Sequence, residues 1–102
     1  TAPSISGDGR YVVFESLSNN LDQVLYTSEL YKSNIYVHDR QTNTTALVSR
    51  NYTGKLPNQN SGTPNISSDG QYIVFGSNAW DMLATPTGIS DNHIYRVANP
   101  LR

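Results

Sequence analysis

Residues 3–16 read Pro-Ser-Ile-Ser-Gly-Asp-Gly-Arg-Tyr-Val-Val-Phe-Glu-Ser, and residues 64–77 read Pro-Asn-Ile-Ser-Ser-Asp-Gly-Gln-Tyr-Ile-Val-Phe-Gly-Ser. Nine of these fourteen positions are identical at an offset of 61 residues. A second echo follows, in which Asn34-Ile35-Tyr36-Val37 returns as His93-Ile94-Tyr95-Arg96, 59 residues on. The chain is therefore a tandem repeat. One unit of a repeat protein cannot bury both of its faces alone, so each needs a neighbour.

Within each unit the pattern is that of strands. Tyr11-Val12-Val13-Phe14 and Tyr72-Ile73-Val74-Phe75 are short runs of β-branched and aromatic residues. They are continuous rather than alternating, which points to strands covered on both faces. Asp8-Gly9 and Asp69-Gly70 precede them, and Asp-Gly is a strong turn signal: Gly takes a positive φ while Asp bonds its own turn backbone. We read these four residues as structural turns and not as ligands. The first repeat is expected to hold four strands, at about residues 3–6, 11–16, 34–40 and 44–50. The second is expected to hold three, at 64–67, 72–77 and 93–98, with its last strand missing. This divides the chain into a first unit over 1–50, a joining loop over 51–62 and a partial second unit over 63–102. The segment Leu21 to Tyr31 could hold a helical turn with Asn20 as its cap.

Four antiparallel strands buried on both faces describe a β-propeller blade. An antiparallel sandwich would show polar alternation on its outer faces, and the Tyr-Val-Val-Phe strand lacks it. The pattern Pro-x-Ile-Ser-x-Asp-Gly-[Arg/Gln]-Tyr-x-Val-Phe-x-Ser, then Ile-Tyr-Val-x-Asp-Arg-x-Thr-x-x-Thr-x-Leu-Val-Ser, resembles the TolB-type β-propeller repeat. It matches at Pro3 to Ser16 with Ile35 to Ser49, and again at Pro64 to Ser77 with Ile94-Tyr95. The resemblance implies an all-β fold of two blades, the second lacking its last strand. It also implies a bacterial periplasmic or secreted location, but no single activity. Many such repeats carry an Asp-x-Asn-x-x-x-Asp ligand set before the Ile-Tyr-Val strand. Here those positions are Ser28, Leu30 and Asn34, and Thr87, Ile89 and His93, so no calcium site carries over.

Closed propellers hold about four to eight blades. Two blades per chain would leave apolar faces bare, which is costly in water. We therefore expect a closed ring made by oligomerisation. A trimer of six blades is favoured on the resemblance, with a dimer or tetramer as the other even-numbered solutions.

Composition narrows the function. The 102 residues carry a net charge of -1 with 15% charged residues, and Lys32 and Lys55 are the only lysines. Nucleic acid and anionic membrane surfaces are poor partners for such a chain. No apolar run reaches the roughly 20 residues of a membrane span. There is no cysteine, hence no disulfide framework and no thiolate chemistry. The chain begins at Thr1 rather than Met, which suggests processing or excision from something longer.

Catalytic patterns are missing. Gly88-Ile89-Ser90-Asp91-Asn92 fails the nucleophile-elbow pattern at its last position, and Glu15 and Glu29 form no evident acid pair. His38 and Asp39 are adjacent, but neighbours on a strand point to opposite faces and do not bond each other. Tyr11, Tyr36, Tyr72 and Tyr95 recur at equivalent positions and read as core between the repeats. The Asn-x-Ser/Thr sequons at Asn43, Asn51 and Asn65 are those chance gives in a chain this rich in such residues. Trp80, the only tryptophan, lies in a polar loop where it could stack on a sugar or anchor a protein. Tyr31 and His93, beside the long loops, complete the candidate binding set.

The reading is a non-catalytic binding or scaffold module that needs no cofactor or metal, with a protein or glycan ligand at rim loops or central channel. The alternatives are an accessory propeller of a larger enzyme, such as a peptidase gate or polysaccharide lyase, and a self-assembling fragment without a ligand.

Overall fold

The computed structural model describes residues 3–16, 33–50, 61–77 and 93–102. These form seven strands: β1 (Ser4–Ile5), β2 (Tyr11–Ser16), β3 (Asn34–Asp39), β4 (Thr44–Leu47), β5 (Ser61–Ile66), β6 (Tyr72–Ser77) and β7 (His93–Ala98). They make two antiparallel sheets, β1-β2-β3-β4 and β5-β6-β7. No helix occurs among the described residues. The expected helical turn at Leu21 to Tyr31 lies outside them.

Each repeat opens with the same turn, built by the same atoms. The Ser6 hydroxyl donates to Asp8 Oδ1 at 2.7 Å, which also accepts from the Arg10 amide at 3.0 Å. The Tyr11 amide donates to Ser6 Oγ at 3.1 Å. In the second repeat, the Ser67 hydroxyl and the Gln71 amide donate to Asp69 Oδ1 at 2.7 and 3.0 Å. The Tyr72 amide donates to Ser67 Oγ at 3.0 Å. Gly9 and Gly70 close these turns at φ of 74° and 76°, a region where only glycine is free of strain. The Ser-x-Asp-Gly motif thus satisfies its own backbone and aims the chain into β2 or β6.

Two boundaries differ from the sequence expectation by three residues, the others by no more than one. The fourth strand of the first sheet ends at Leu47, because Val48 and Ser49 turn their amides back to the Ile35 carbonyl. The first strand of the second sheet starts at Ser61 rather than 64, so the joining loop ends earlier than expected. Its register shifts between Gly62 and Asn65, around Thr63 at φ 49°. Pro64 offers no amide to a ladder, and a bulge absorbs that gap. Gly62, expected in the joining loop, and Pro64, expected to begin the strand, flank this bulge.

The two sheets stack face to face. Tyr11, Val13, Ile35, Val37, Ala46 and Val48 share one face of the first sheet and join Ile73 and Phe75 in one core. Ile66, Tyr95 and Val97 pack against it. Fully burying a side chain such as Val13 or Ile73 stabilises by about 1.5–3 kcal/mol. The stacking is same-sense: the Gly7 amide donates to the Ser68 carbonyl at 2.8 Å, so equivalent turns lie side by side. Position 7 favours glycine here, since a Cβ would fall 2.5 Å from the Ser68 hydroxyl, which would have to turn away, and 3.0 Å from its carbonyl oxygen, which would have to give by a few tenths of an ångström. Gly7→Ala is expected to cost about 1–3 kcal/mol by prising the turns apart, read as a shift of the urea midpoint at constant slope.

The same letters have different burial in the two repeats. Tyr11 is 3% exposed but its counterpart Tyr72 is 42% exposed. Tyr72 is thus not core, contrary to the sequence expectation, whereas Tyr11 and Tyr36 are buried and Tyr95 is half-buried. The reason is position. The face that carries Tyr11 is covered by the second sheet, and the face that carries Tyr72 is the outer one.

Candidate functional site

Of the binding residues expected from sequence, His93 alone falls among the described residues. His93 is exposed at the start of β7, opposite Ser77 in register. Tyr31 and Trp80 lie outside the described residues. His38 and Asp39 face apart as expected: His38 Nδ1 meets Thr45 Oγ1 at 2.8 Å, while Asp39 turns to Arg10. No cluster of metal-ligating side chains occurs among the described residues, and they hold no helix long and apolar enough to cross a membrane.

A different place stands out. The Arg10 guanidinium grips Asp39 with two bonds, Nε to Oδ1 and Nη2 to Oδ2, both 2.9 Å. The Asp39 carboxylate is 2% exposed and also accepts the Gln41 amide at 2.9 Å. Arg10 holds the Asp39 carboxyl far below the usual carboxylate range. This clamp ties the start of β2 to the end of β3, and sequence reasoning missed it. The available signal was register: Tyr11 pairs with Asp39 across the ladder, which brings Arg10 alongside.

In the second repeat the clamp is gone, because Gln71 and Ala98 occupy the positions of Arg10 and Asp39. In that place lies an open cavity of about 350 Å³, lined by Gln71, Tyr72, Ala98, Asn99 and Arg102. Asn99 frames it. Its amide nitrogen Nδ2 donates to the Gly70 carbonyl at 2.9 Å, and its Oδ1 accepts the Leu101 amide at 3.0 Å. The Arg96 guanidinium lies 4.8 Å from the centre of the Tyr72 ring. The cavity thus offers one aromatic plane, the Gln71 amide and the Arg102 guanidinium. Such a lining can hold a polar backbone segment or a sugar hydroxyl face.

Comparison with models of known families, with curated proteins and with solved structures gave no significant match.

Among the described residues three carboxyls carry a lowered pKa and contribute to the acid response. Asp39 is lowered chiefly by Arg10, Asp8 by the Ser6 hydroxyl and Asp69 by the Ser67 hydroxyl. A carboxyl lowered on folding from 3.8 stabilises the fold above that pH, and the stability is lost as pH falls below it. The melting temperature is therefore expected to hold from pH 7 to about 5 and to drop below about 4. Asp39→Asn is expected to melt lower at pH 7 and to show a shallower acid drop. An acid limb unchanged in that variant would remove Asp39 as its source.

Proposed function

We propose that the chain is a pair of TolB-like β-propeller blades that closes into a ring by self-assembly. It serves as a non-catalytic binding or scaffold module in the periplasm or outside the cell. The supporting observation is the same-sense stacking of the two sheets, in which one face of the first repeat meets the opposite face of the second. A dyad would consume matching faces. This contact turns opposite faces of the two repeats outward, the first with Tyr36 and Leu47 already buried and the second with Tyr72 and Ile94 open, and a repeated contact of that sort either closes a ring or runs on as a fibre. Three chains give six blades, within the usual range for closed propellers.

The ligand reading rests on the loops that join the second and third strands of each repeat, with Trp80 as the aromatic anchor for a protein or glycan. Negative-stain imaging of the purified chain is expected to show three-fold rings, and glycan and peptide arrays to show binding by the assembled form. Trp80→Ala is expected to weaken that binding by roughly tenfold or more, as loss of a buried aromatic anchor does. Rings that bind neither array would overturn the binding role. Full binding by the Trp80 variant would move the contact from this loop to the channel.

A further inference from the structure

We propose that the cavity over Tyr72 is the seat for the Ser6–Gly9 turn of a second copy of this chain. This rests on the ring reading above and names its contact. The chain already makes such a contact between its own two repeats. Gly70 lies directly on the Tyr11 ring, so closely that a Cβ there would stand 2.9 Å from Tyr11 Cδ2 and 3.2 Å from Cε2. Beside it the Gly7 amide bonds the Ser68 carbonyl, and the Ile66 amide donates to Ser4 Oγ at 3.3 Å.

Advancing each partner by one repeat reproduces this contact between copies. Tyr72 takes the place of Tyr11, and Gly9 of the second copy takes the place of Gly70. Ser68 takes the place of Gly7 and meets Gly7 of the second copy, so each contact again pairs one serine with one glycine. Asn65 presents a side-chain oxygen where Ser4 presents its hydroxyl.

Exposure follows the same map. Among the described residues the exposed large hydrophobics are Ile5 at 53%, Tyr72 at 42% and Ile94 at 71%. Of their counterparts, Tyr11 and Ile35 belong to the core between the sheets and Ile66 packs against it. Ile5 lies with the turn on the outer face of the first sheet, and Tyr72 and Ile94 lie on the outer face of the second. Farther along the outer face of the first sheet Tyr36 and Leu47 are already buried, so the open complement is the Ile5 turn at one end of the chain and Tyr72 with Ile94 at the other, which a second copy would bring together.

Two residues tune the contact. Gly9 has room around it, because a Cβ there would meet only Arg40 Nη1 at 3.7 Å. Its lack of a side chain is therefore not demanded by packing within the chain. Arg96 stands where Val37 stands in the first repeat, and its guanidinium covers the Tyr72 ring. It must swing aside for the turn to seat, which weakens the contact and keeps it reversible.

The test is sedimentation equilibrium of the intact chain beside Gly9→Asn, Tyr72→Ala and Arg96→Val. Asparagine tolerates a left-handed φ, so Gly9→Asn adds bulk with little backbone strain. Gly9→Asn and Tyr72→Ala are each expected to raise the dissociation constant by about tenfold or more, with the far-ultraviolet circular dichroism of the dilute chain unchanged. Arg96→Val is expected to lower it by about tenfold. Assembly indifferent to all three changes would overturn the seat while leaving the ring reading standing. A wild-type chain and an Arg96→Val chain that both stay monomeric over the whole concentration range would overturn both.

Discussion

Phe75→Ala is expected to cost about 3–5 kcal/mol of folding stability, the range for emptying a large aromatic site in a core. Phe75 is buried between the sheets with Ile73 and the Tyr11–Val13 face, and its ring stacks on Tyr95 at 5.8 Å. Truncation removes contacts with both sheets at once, so neither can relax to fill the hole. Total stability in a small domain is about 5–15 kcal/mol. The variant therefore approaches unfolding at room temperature. Its counterpart Phe14 makes the same stack, on Tyr36 at 5.9 Å, but lies on the other face of the first sheet and is half-buried. Phe14→Ala is expected to cost clearly less. Urea unfolding of both variants checks the pair. A larger loss at Phe14 than at Phe75 would place the main core elsewhere.

Gly70→Ala is expected to be the second severe change, at about 2–5 kcal/mol, because two penalties add. Alanine at φ 76° costs about 1–2 kcal/mol from the clash of its Cβ with the backbone. The same Cβ would press into the Tyr11 ring, and such overpacking costs about 1–3 kcal/mol more. Tyr11 is buried under the second sheet, so it cannot swing clear without opening the interface. Gly9→Ala carries the first penalty alone and is expected to lose only about 1–2 kcal/mol. Equal losses at the two glycines, in unfolding curves of the dilute chain, would mean that Gly70 and Tyr11 do not bear on each other.

These paired predictions also mark how far the sequence could be read. The turns were legible because Ser-x-Asp-Gly holds its hydrogen bonds within a few residues, so the letters contain the structure. The strands that follow were legible for a similar reason: Tyr-Val-Val-Phe and Tyr-Ile-Val-Phe favour extended chain locally. The all-β class and the count of four strands followed by three could be read from these signals, and both hold among the described residues. Burial was less legible. Tyr11 and Tyr72 sit in near-identical strings, yet one is covered and the other open, because coverage is set by the neighbouring sheet and not by the local string. The Arg10–Asp39 clamp was hidden for the related reason that it needs the register between β2 and β3. Ser61-Gly62 reads as the end of a loop because the stretch before it is polar and contains glycine, and only the partner strand shows that pairing extends past the bulge to these residues. The cavity over Tyr72 is the product of two substitutions, Gln71 for Arg10 and Ala98 for Asp39, whose joint effect appears only once the ends of β2 and β3 are seen together. Of the binding residues named from sequence, His93 is exposed and stands apart from the cavity, while Tyr31 and Trp80 lie outside the described residues.

The account turns on whether the stacking inside the chain continues between chains. The most direct measurement is the solution mass of the unaltered protein by light scattering after size exclusion, taken over a dilution series. The account predicts a species of three chain masses that gives way to single chains on dilution. A single chain mass at every concentration would contradict it.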